Sequence, residues 1–242
     1  MIFSVNRTQY QREKVLSYLK ANRYGKVLDV GGALGPWAGE YVTYYCDLQD
    51  VHMQTCHENH KLEQVMKSTS IVGNIESSKI QNRLVKEGPF DFIICTQCLE
   101  HLGSPQLLLD FLPKIGRSGF IGLPNGVTEL TRGVYAEGDQ LSKWNLVQYT
   151  RGFAPHRWIF DIIKEEELYF FPKYTILDSM KLSIDLFSKN LLKKYFDAEL
   201  GFWWIDNIKY TYYDDSYFDF SEGLKVCQAL DEVCNKVADN VE

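Results

Sequence analysis

The sequence lacks what would take it into or across a membrane. The opening residues, MIFSVNRTQYQREK, hold no apolar core long enough for a secretory signal. No run approaches the roughly 18 apolar residues that a bilayer span requires. Excess basic charge is missing too: 26 Lys and Arg stand against 32 Asp and Glu, for a net charge of −6. A duplex-binding surface would need the opposite balance or a strong basic stripe, so no nucleic-acid partner is expected. The densest basic cluster, Lys189 with Lys193 and Lys194, reads as a solvated helix face. The six cysteines are scattered without the spacing of a secreted scaffold, which points to reduced thiols in a cytoplasm-like compartment. There is no internal repeat, low-complexity tract or Pro/Ser-rich linker, so one domain spanning residues 1–242 is expected.

What is present is an alternation of strand-like and helix-like segments. Thr8 to Asn22 has a helical pattern with Gly25 as its stop, and Lys26 to Val30 is an apolar strand. Pro36 suits the first turn of a short helix before a second strand, Tyr41 to Asp47. Glu58 to Lys67 reads as a helix, Thr69 to Gly73 as a strand, Glu76 to Lys86 as a helix and Asp91 to Thr96 as a strand. Pro105 to Leu112 is a leucine-rich helix ended by Gly116, and Ser118 to Leu123 is a fifth strand. This βα rhythm predicts a doubly wound, mostly parallel α/β sheet. Asn125 to Pro155 loses the rhythm, as an inserted lid or binding segment would. Beyond it the pattern predicts a helix over Asp161 to Phe171, a strand over Tyr174 to Ser183 and a helix over Ile184 to Phe196. A long strand over Gly201 to Tyr213 and a closing helix over Ser221 to Val237 complete the chain.

The chemistry centres on Lys26 to Pro36, KVLDVGGALGP, where a buried strand meets Asp29 and drops into Gly31, Gly32 and Gly35. Such a turn lets backbone approach a ligand closely. The dinucleotide spacing GxGxxG fails at Ala33 and Pro36 when counted from Gly31, and at Leu34 when counted from Gly32. No Lys-Ser or Lys-Thr pair follows, so the P-loop fails as well.

Residues 26 to 125 resemble the class I S-adenosylmethionine-dependent methyltransferase family, in particular its small-molecule branch. The first motif stands here as Leu28-Asp29-Val30-Gly31-Gly32-Ala33-Leu34-Gly35, with Ala33 in the middle glycine position. The second landmark is Phe90-Asp91-Phe92-Ile93-Ile94 followed by Leu99-Glu100-His101-Leu102. The resemblance implies a Rossmann-like methyltransferase sheet of about seven strands with the last one antiparallel. It implies S-adenosyl-L-methionine as cofactor, lying against Gly31, Ala33 and Gly35. Asp29 would hold the turn or reach the cofactor's amino group. Asp47, at the close of YVTYYCD, would accept the ribose hydroxyls, with Asp50 as the fallback. Asn74 and Ile75 stand where the family grips adenine. Thr96 and Gln97 would border the sulfonium and the methyl group. Each of these positions could equally be an ordinary polar loop residue.

A hydroxyl acceptor would need a base, and five histidines are available. His101 sits just past the fourth strand, although LEHL could use it simply to pack and cap. His156, in PHRWIFD, resembles a histidine that precedes regular structure in methyltransferases of sugars and small molecules; beside Trp158 it could equally be structural. Glu100, Arg157 and Asp161 are secondary candidates. Cys95-x-x-Cys98-x-x-His101 and the group Cys56, His57 and His60 have ligand-like spacing, but a closed zinc site needs four ligands and no second CxxC exists, so no metal is expected. The late aromatic run around Trp203, Trp204, Tyr210 and Tyr212 could face a sugar, though a half-buried strand explains it without one. The expected function is methyl transfer to a small molecule or a sugar or glycan precursor, most simply to oxygen. The alternative is a methyltransferase-like module that binds without catalysis.

Overall fold

The computed structural model of the chain describes residues 8–33, 35–54, 62–131, 151–153, 155–163, 167–173, 177 and 199–212. The element order is α1 (Thr8–Asn22), β1 (Val27–Val30), β2 (Tyr44–Asp47), α2 (Val51–Gln54), α3 (Leu62–Lys67), β3 (Thr69–Val72), α4 (Ser78–Glu87) and β4 (Phe92–Thr96). A single 3-10 turn, Leu99–His101, leads to α5 (Pro105–Ile115), β5 (Ser118–Pro124) and α6 (Gly126–Leu130). Then come β6 (Trp158–Ile163), β7 (Glu167–Pro172), β8 (Glu199–Ile205) and β9 (Tyr210–Tyr212). These residues form two compact units: Gln9–Leu123 with Gly201–Ile208, and a second built from the described residues of Pro124–Leu200 and those from Lys209 on.

In the first unit the sheet runs β3-β2-β1-β4-β5-β8. The pairs β3–β2, β2–β1, β1–β4 and β4–β5 are all parallel. Side chains alternate across the pleat. Val27, Phe92, Ile94 and Phe120 join one core with Val15 and Leu19 of α1, which are one helical turn apart. Ile93 points to the other face, where it lies under Gly116 at the end of α5. On α4, Ile80 and Leu84 supply the buried i, i+4 pair, and Ser77 caps the helix by accepting from Ile80 N–H at 3.4 Å. Strands and helices here match the sequence reading to within a few residues. One difference lies between β1 and β2. No helix follows Pro36; hydrogen-bonded turns, Gly39 N–H to Pro36 O at 3.0 Å and Tyr41 N–H to Ala38 O at 2.9 Å, take its place. Ala38 and Val42 go straight into the core.

Six strands form this sheet among the described residues, against about seven expected. The late aromatic run does not make one strand. Asp206 adopts a left-handed φ of 59°, a conformation that Asp and Asn tolerate best among residues with a side chain. The run therefore splits into β8, which joins this sheet, and β9, which joins another. Trp203 packs edge-on against Tyr18 (5.5 Å) and Phe120 (5.5 Å), and Trp204 is buried.

The second unit corrects the expectation of a helix over Asp161 to Phe171. That stretch is an antiparallel pair, β6 with β7, in register from Trp158↔Pro172 to Ile163↔Glu167. The acid-rich residues that suggested a helix surface fall between two runs of β-branched and aromatic residues, and those runs pair as strands. β9 adds in parallel to β7. Phe170 is the hub, stacked on Phe160 at 5.0 Å and on Tyr212 at 5.3 Å. Within Asn125 to Pro155, α6 and the bridge of Asn125 to Phe160 are ordered structure, and residues 132–150 lie outside the described ones. The strand expected at Tyr174 to Ser183, apart from Leu177, and the helices expected at Ile184 to Phe196 and Ser221 to Val237 also lie outside them. Among the described residues no helix is long and apolar enough to cross a membrane.

Gly119 on β5 tests how tightly β8 is seated. A Cβ there would stand 2.3 Å from Ile93 O and 2.7 Å from the Trp204 indole nitrogen. Gly119→Ala should therefore cost about 2 kcal/mol through overpacking. A thermal melt should show this as a fall in Tm of roughly 5 °C.

Candidate functional site

After β1 the chain builds outward through β2 and β3, then returns to β1's other side with β4. Ligands of open α/β sheets sit outside the carboxyl ends of strands at such a reversal. A cleft of about 260 Å³ lies at those ends here, lined from β1 by Val30 and Gly31 and from β2 by Cys46, Asp47, Leu48 and Gln49. Gly73, Asn74 and Ile75 line it from β3, and Gln97, Cys98, His101 and Leu102 from beyond β4. The sequence-predicted Gly31, Asp47, Asn74, Ile75, Gln97 and His101 are thus brought together. Asp29, Ala33, Gly35, Thr96 and Asp50 are not among its lining residues.

The glycine turn is rigidly built. Gly31 has φ +82°, and a Cβ there would lie 2.8 Å from Cys98 Cβ. Its N–H donates to Cys46 O at 2.9 Å, which ties the turn to β2. Gly32 sits directly on Asp29, whose carboxyl carbon would be 2.3 Å from any Cβ. Asp29 is fully buried, and neither of its oxygens has a hydrogen-bond partner among the described residues. Burial, reinforced by the charge of Asp47 and opposed by Arg12, pushes its carboxyl up to about 7. Asp29 is a prop beneath the turn and not part of the cleft wall. Ala33 is also turned inward: its side chain belongs to the core, while its N–H donates to Asp47 Oδ2 at 3.1 Å. Gly35 is exposed, with open space where a Cβ would be.

Asp47 takes a second hydrogen bond at Oδ1 from Gln49 N–H, at 3.2 Å. Each carboxylate oxygen therefore has one lone pair occupied and one to offer, the arrangement needed to hold a vicinal diol. Asp50 instead accepts from His52 N–H at 3.1 Å, at the start of α2. Gln97 has a left-handed φ of 52° and donates its N–H to Gly122 O at 2.9 Å. Such a conformation in a residue with a side chain marks strain held by its surroundings. Here it turns the chain from β4 into the segment that lines the cleft. Thr96 is buried and accepts from the Trp37 indole N–H at 3.3 Å, and the Arg12 guanidinium stands 5.2 Å over the Trp37 ring.

Glu76 was not singled out from the sequence. Its Oε1 accepts from Ser104 N–H at 2.8 Å and its Oε2 from Gly103 N–H at 3.3 Å. One carboxylate thereby ties the loop after β3 to the loop carrying Leu102, and it caps the N-terminus of α5 from outside. Only its place two residues after Asn74 hints at this. The cysteines near the cleft look like core residues: contact with Cys98 and burial raise the Cys95 thiol well above its usual range, and burial pushes Cys46 up to about 12. Cys56, His57 and His60 lie outside the described residues.

In the second unit His156 is buried and its Nδ1 meets Glu129 Oε1 at 2.7 Å. Lys173 Nζ holds the other oxygen of Glu129 at 2.8 Å and donates to Phe153 O at 2.8 Å. A carboxylate hydrogen-bonded at Nδ1 fixes the orientation of the imidazole ring. The Phe153 ring lies edge-on to His156, with centroids 5.0 Å apart. Asp161, on β6, is buried with Oδ2 unpartnered, and burial pushes its carboxyl up to about 7. Arg157 is exposed, and Glu100 is buried in the 3-10 turn.

Asp29 makes stability depend on pH. Its folded-state pKa of about 7 lies above the ordinary 3.8, so the unfolded chain loses this proton first as pH rises. Its contribution is complete below pH 4 and is lost as pH rises through 7. Asp29→Asn should abolish that dependence. Urea unfolding at pH 5 and pH 8 should show the variant gaining on the parent by about 3 kcal/mol between the two.

No curated protein matches the chain. Among solved structures, the N-terminal domain of EvdMO1 with SAH bound is similar at 12% identity, covering 51% of this chain and 51% of that one, with a TM-score of 0.38. The O-methyltransferase TomG from Streptomyces achromogenes, in complex with SAM, is similar at 11% identity over 56% of this chain and 63% of that one, TM-score 0.38. The O-methyltransferase from Bacillus cereus, with SAH, is similar at 13% identity over 57% and 64%, TM-score 0.38. The chain thus spans from about half to just under two thirds of the length of these structures. A family model described as "Methyltransferase domain" matches residues 6–130, just over half of the 242 residues, and the chain belongs to that methyltransferase domain family.

Proposed function

We propose that the chain binds S-adenosylmethionine in the cleft between β1 and β4 and transfers its methyl group to an oxygen of a small molecule or a sugar or glycan precursor. The observation that carries this reading is Asp47, a carboxylate at the end of β2 with one acceptor site open on each oxygen, facing a cleft floored by the Gly31 turn. The residues fit the cofactor. Gly31 exposes bare backbone, Asp47 suits the ribose diol, and Leu48, Ile75 and Leu102 offer apolar surface for the flat faces of a base. The O-methyltransferases among the similar structures, solved with SAM or SAH, are in keeping with it.

When bound, the sulfonium cofactor supplies an activated methyl group, so the protein has mainly to align the acceptor and manage one proton. His101, on the cleft wall, is one candidate for that proton. His156 is the other, its ring held in place by the hydrogen bond between Nδ1 and Glu129. Asn125 to Pro155 is the segment we assign to acceptor selection.

Isothermal titration with S-adenosylhomocysteine should show saturable binding, and its absence in the folded protein would sink the proposal. Asp47→Ala removes two charge-assisted acceptors and should weaken binding by about tenfold or more. Glu76→Ala changes no cleft-lining side chain but frees the two loops that carry Asn74, Ile75 and Leu102, and should weaken binding by roughly three- to tenfold. Labelled-methyl transfer to a panel of sugars, polyols and phenols, repeated with His101→Asn and His156→Asn, should separate the two bases by their effect on kcat.

A further inference from the structure

We propose that Cys95 and Cys98 are an oxidisable dithiol beside the cleft, which a hydroperoxide joins in a disulfide and so closes the site to its cofactor. This rests on the cofactor reading above.

Two thiols meet where β4 ends. Cys95 is buried on β4 and pairs in register with Val30, the residue before the Gly31 turn. Cys98 follows three residues later, after Gln97 has turned the chain at φ 52°, and its side chain comes back into hydrogen-bond contact with Cys95. The two differ in access. Cys98 is half-buried and lines the cleft, whereas Cys95 is not among the lining residues. An accessible thiol with a buried one against it is the arrangement of a peroxide-reactive cysteine and its resolving partner.

The chemistry needs only the peroxide. Its O–O bond breaks as the Cys98 sulfur gives up two electrons; one oxygen stays on sulfur as the sulfenic acid, and the other leaves as water with the thiol proton. The Cys95 sulfur then attacks the Cys98 sulfur. An S–S bond forms, the S–O bond breaks, and the hydroxyl leaves with the Cys95 proton as a second water.

Cys98 is also the side chain whose movement matters. A Cβ at Gly31 would stand 2.8 Å from Cys98 Cβ and 3.3 Å from its Sγ, so Cys98 is the wall against which the glycine turn rests. A disulfide holds its sulfurs about 2.05 Å apart, well inside van der Waals contact. Forming it draws Cys98 toward β4 and off the turn, and the cleft wall shifts with it. Cys46 is the competing partner, since it lines the cleft from β2 and pairs with Val30 on the strand's other side.

The test treats the full chain with a modest excess of hydrogen peroxide, maps disulfides by mass spectrometry of non-reduced peptides and titrates with S-adenosylhomocysteine. The oxidised parent should carry a Cys95–Cys98 bond, melt cooperatively and show no saturable binding. Dithiothreitol, itself closing to a cyclic disulfide, should restore binding. Cys95→Ala lacks the resolving thiol, so its Cys98 should go on to the sulfinic acid, which dithiothreitol does not reverse. Where the reduced parent binds, three results overturn the inference and leave the cofactor reading standing: no Cys95–Cys98 bond, Cys98 joined to Cys46 instead, or undiminished binding once the bond has formed. An oxidised parent that no longer melts cooperatively overturns it too, because the fold and not the site is then lost. If the reduced, folded parent does not bind S-adenosylhomocysteine, the cofactor reading falls and takes the inference with it.

Discussion

The first unit depends on one uncomfortable arrangement, a carboxyl group buried without partners directly under a glycine turn. Asp29 lies on the central strand, with Tyr45 of β2 and Ile94 of β4 as its register partners. Water does not reach it, and Gly32 covers it so closely that no other residue could occupy that position without moving the carboxyl. The cost of an ionised carboxylate there is relieved by keeping the proton to about pH 7. The turn above is then shaped from two sides: the prop sets how far it can sink, and Cys98 sets how far Gly31 can swing. Between them the backbone has one place to go, which is along the cleft.

The same turn passes its position on to the rest of the site. Ala33 N–H fixes Asp47, and Gly31 N–H fixes the end of β2. On the far wall Glu76 clamps the loop after β3 to the loop before α5.

How much of this was legible follows from where the information lies. Parallel strands announced themselves because buried β-branched runs such as Asp91 to Thr96 admit few other readings, and the glycine turn marked where they stop. Asp47 stood out because it closes β2, and Asn74 because it follows β3. The β6–β7 pair was misread because WIFDIIKEEELYFFP carries helix-like charge spacing between two strand-forming halves, and pairing, which is not local, decides between them. Asp206 hid the end of β8 for a similar reason: one left-handed residue leaves no composition signal. Glu76, Glu129 and Lys173 were invisible because their roles are long-range hydrogen bonds, and nothing in a single sequence says that Glu129 will meet Lys173 at 44 residues' separation.

Ala33 shows why a departure from a motif has to be judged by the atom that does the work. Counted against the family pattern, a methyl group in the middle glycine position would crowd a ligand and would favour a module that has lost catalysis. In the fold that methyl joins the core with Ala38, Val42 and Tyr45, and the group offered toward the site is the N–H, which any residue but proline supplies. The side chain at this position answers to the core, where it is fully buried. Gly31 is the opposite case: its left-handed φ and its contact with Cys98 leave no room for a side chain, so the motif's demand is real there. A substitution at 33 therefore speaks to packing and one at 31 to the shape of the turn.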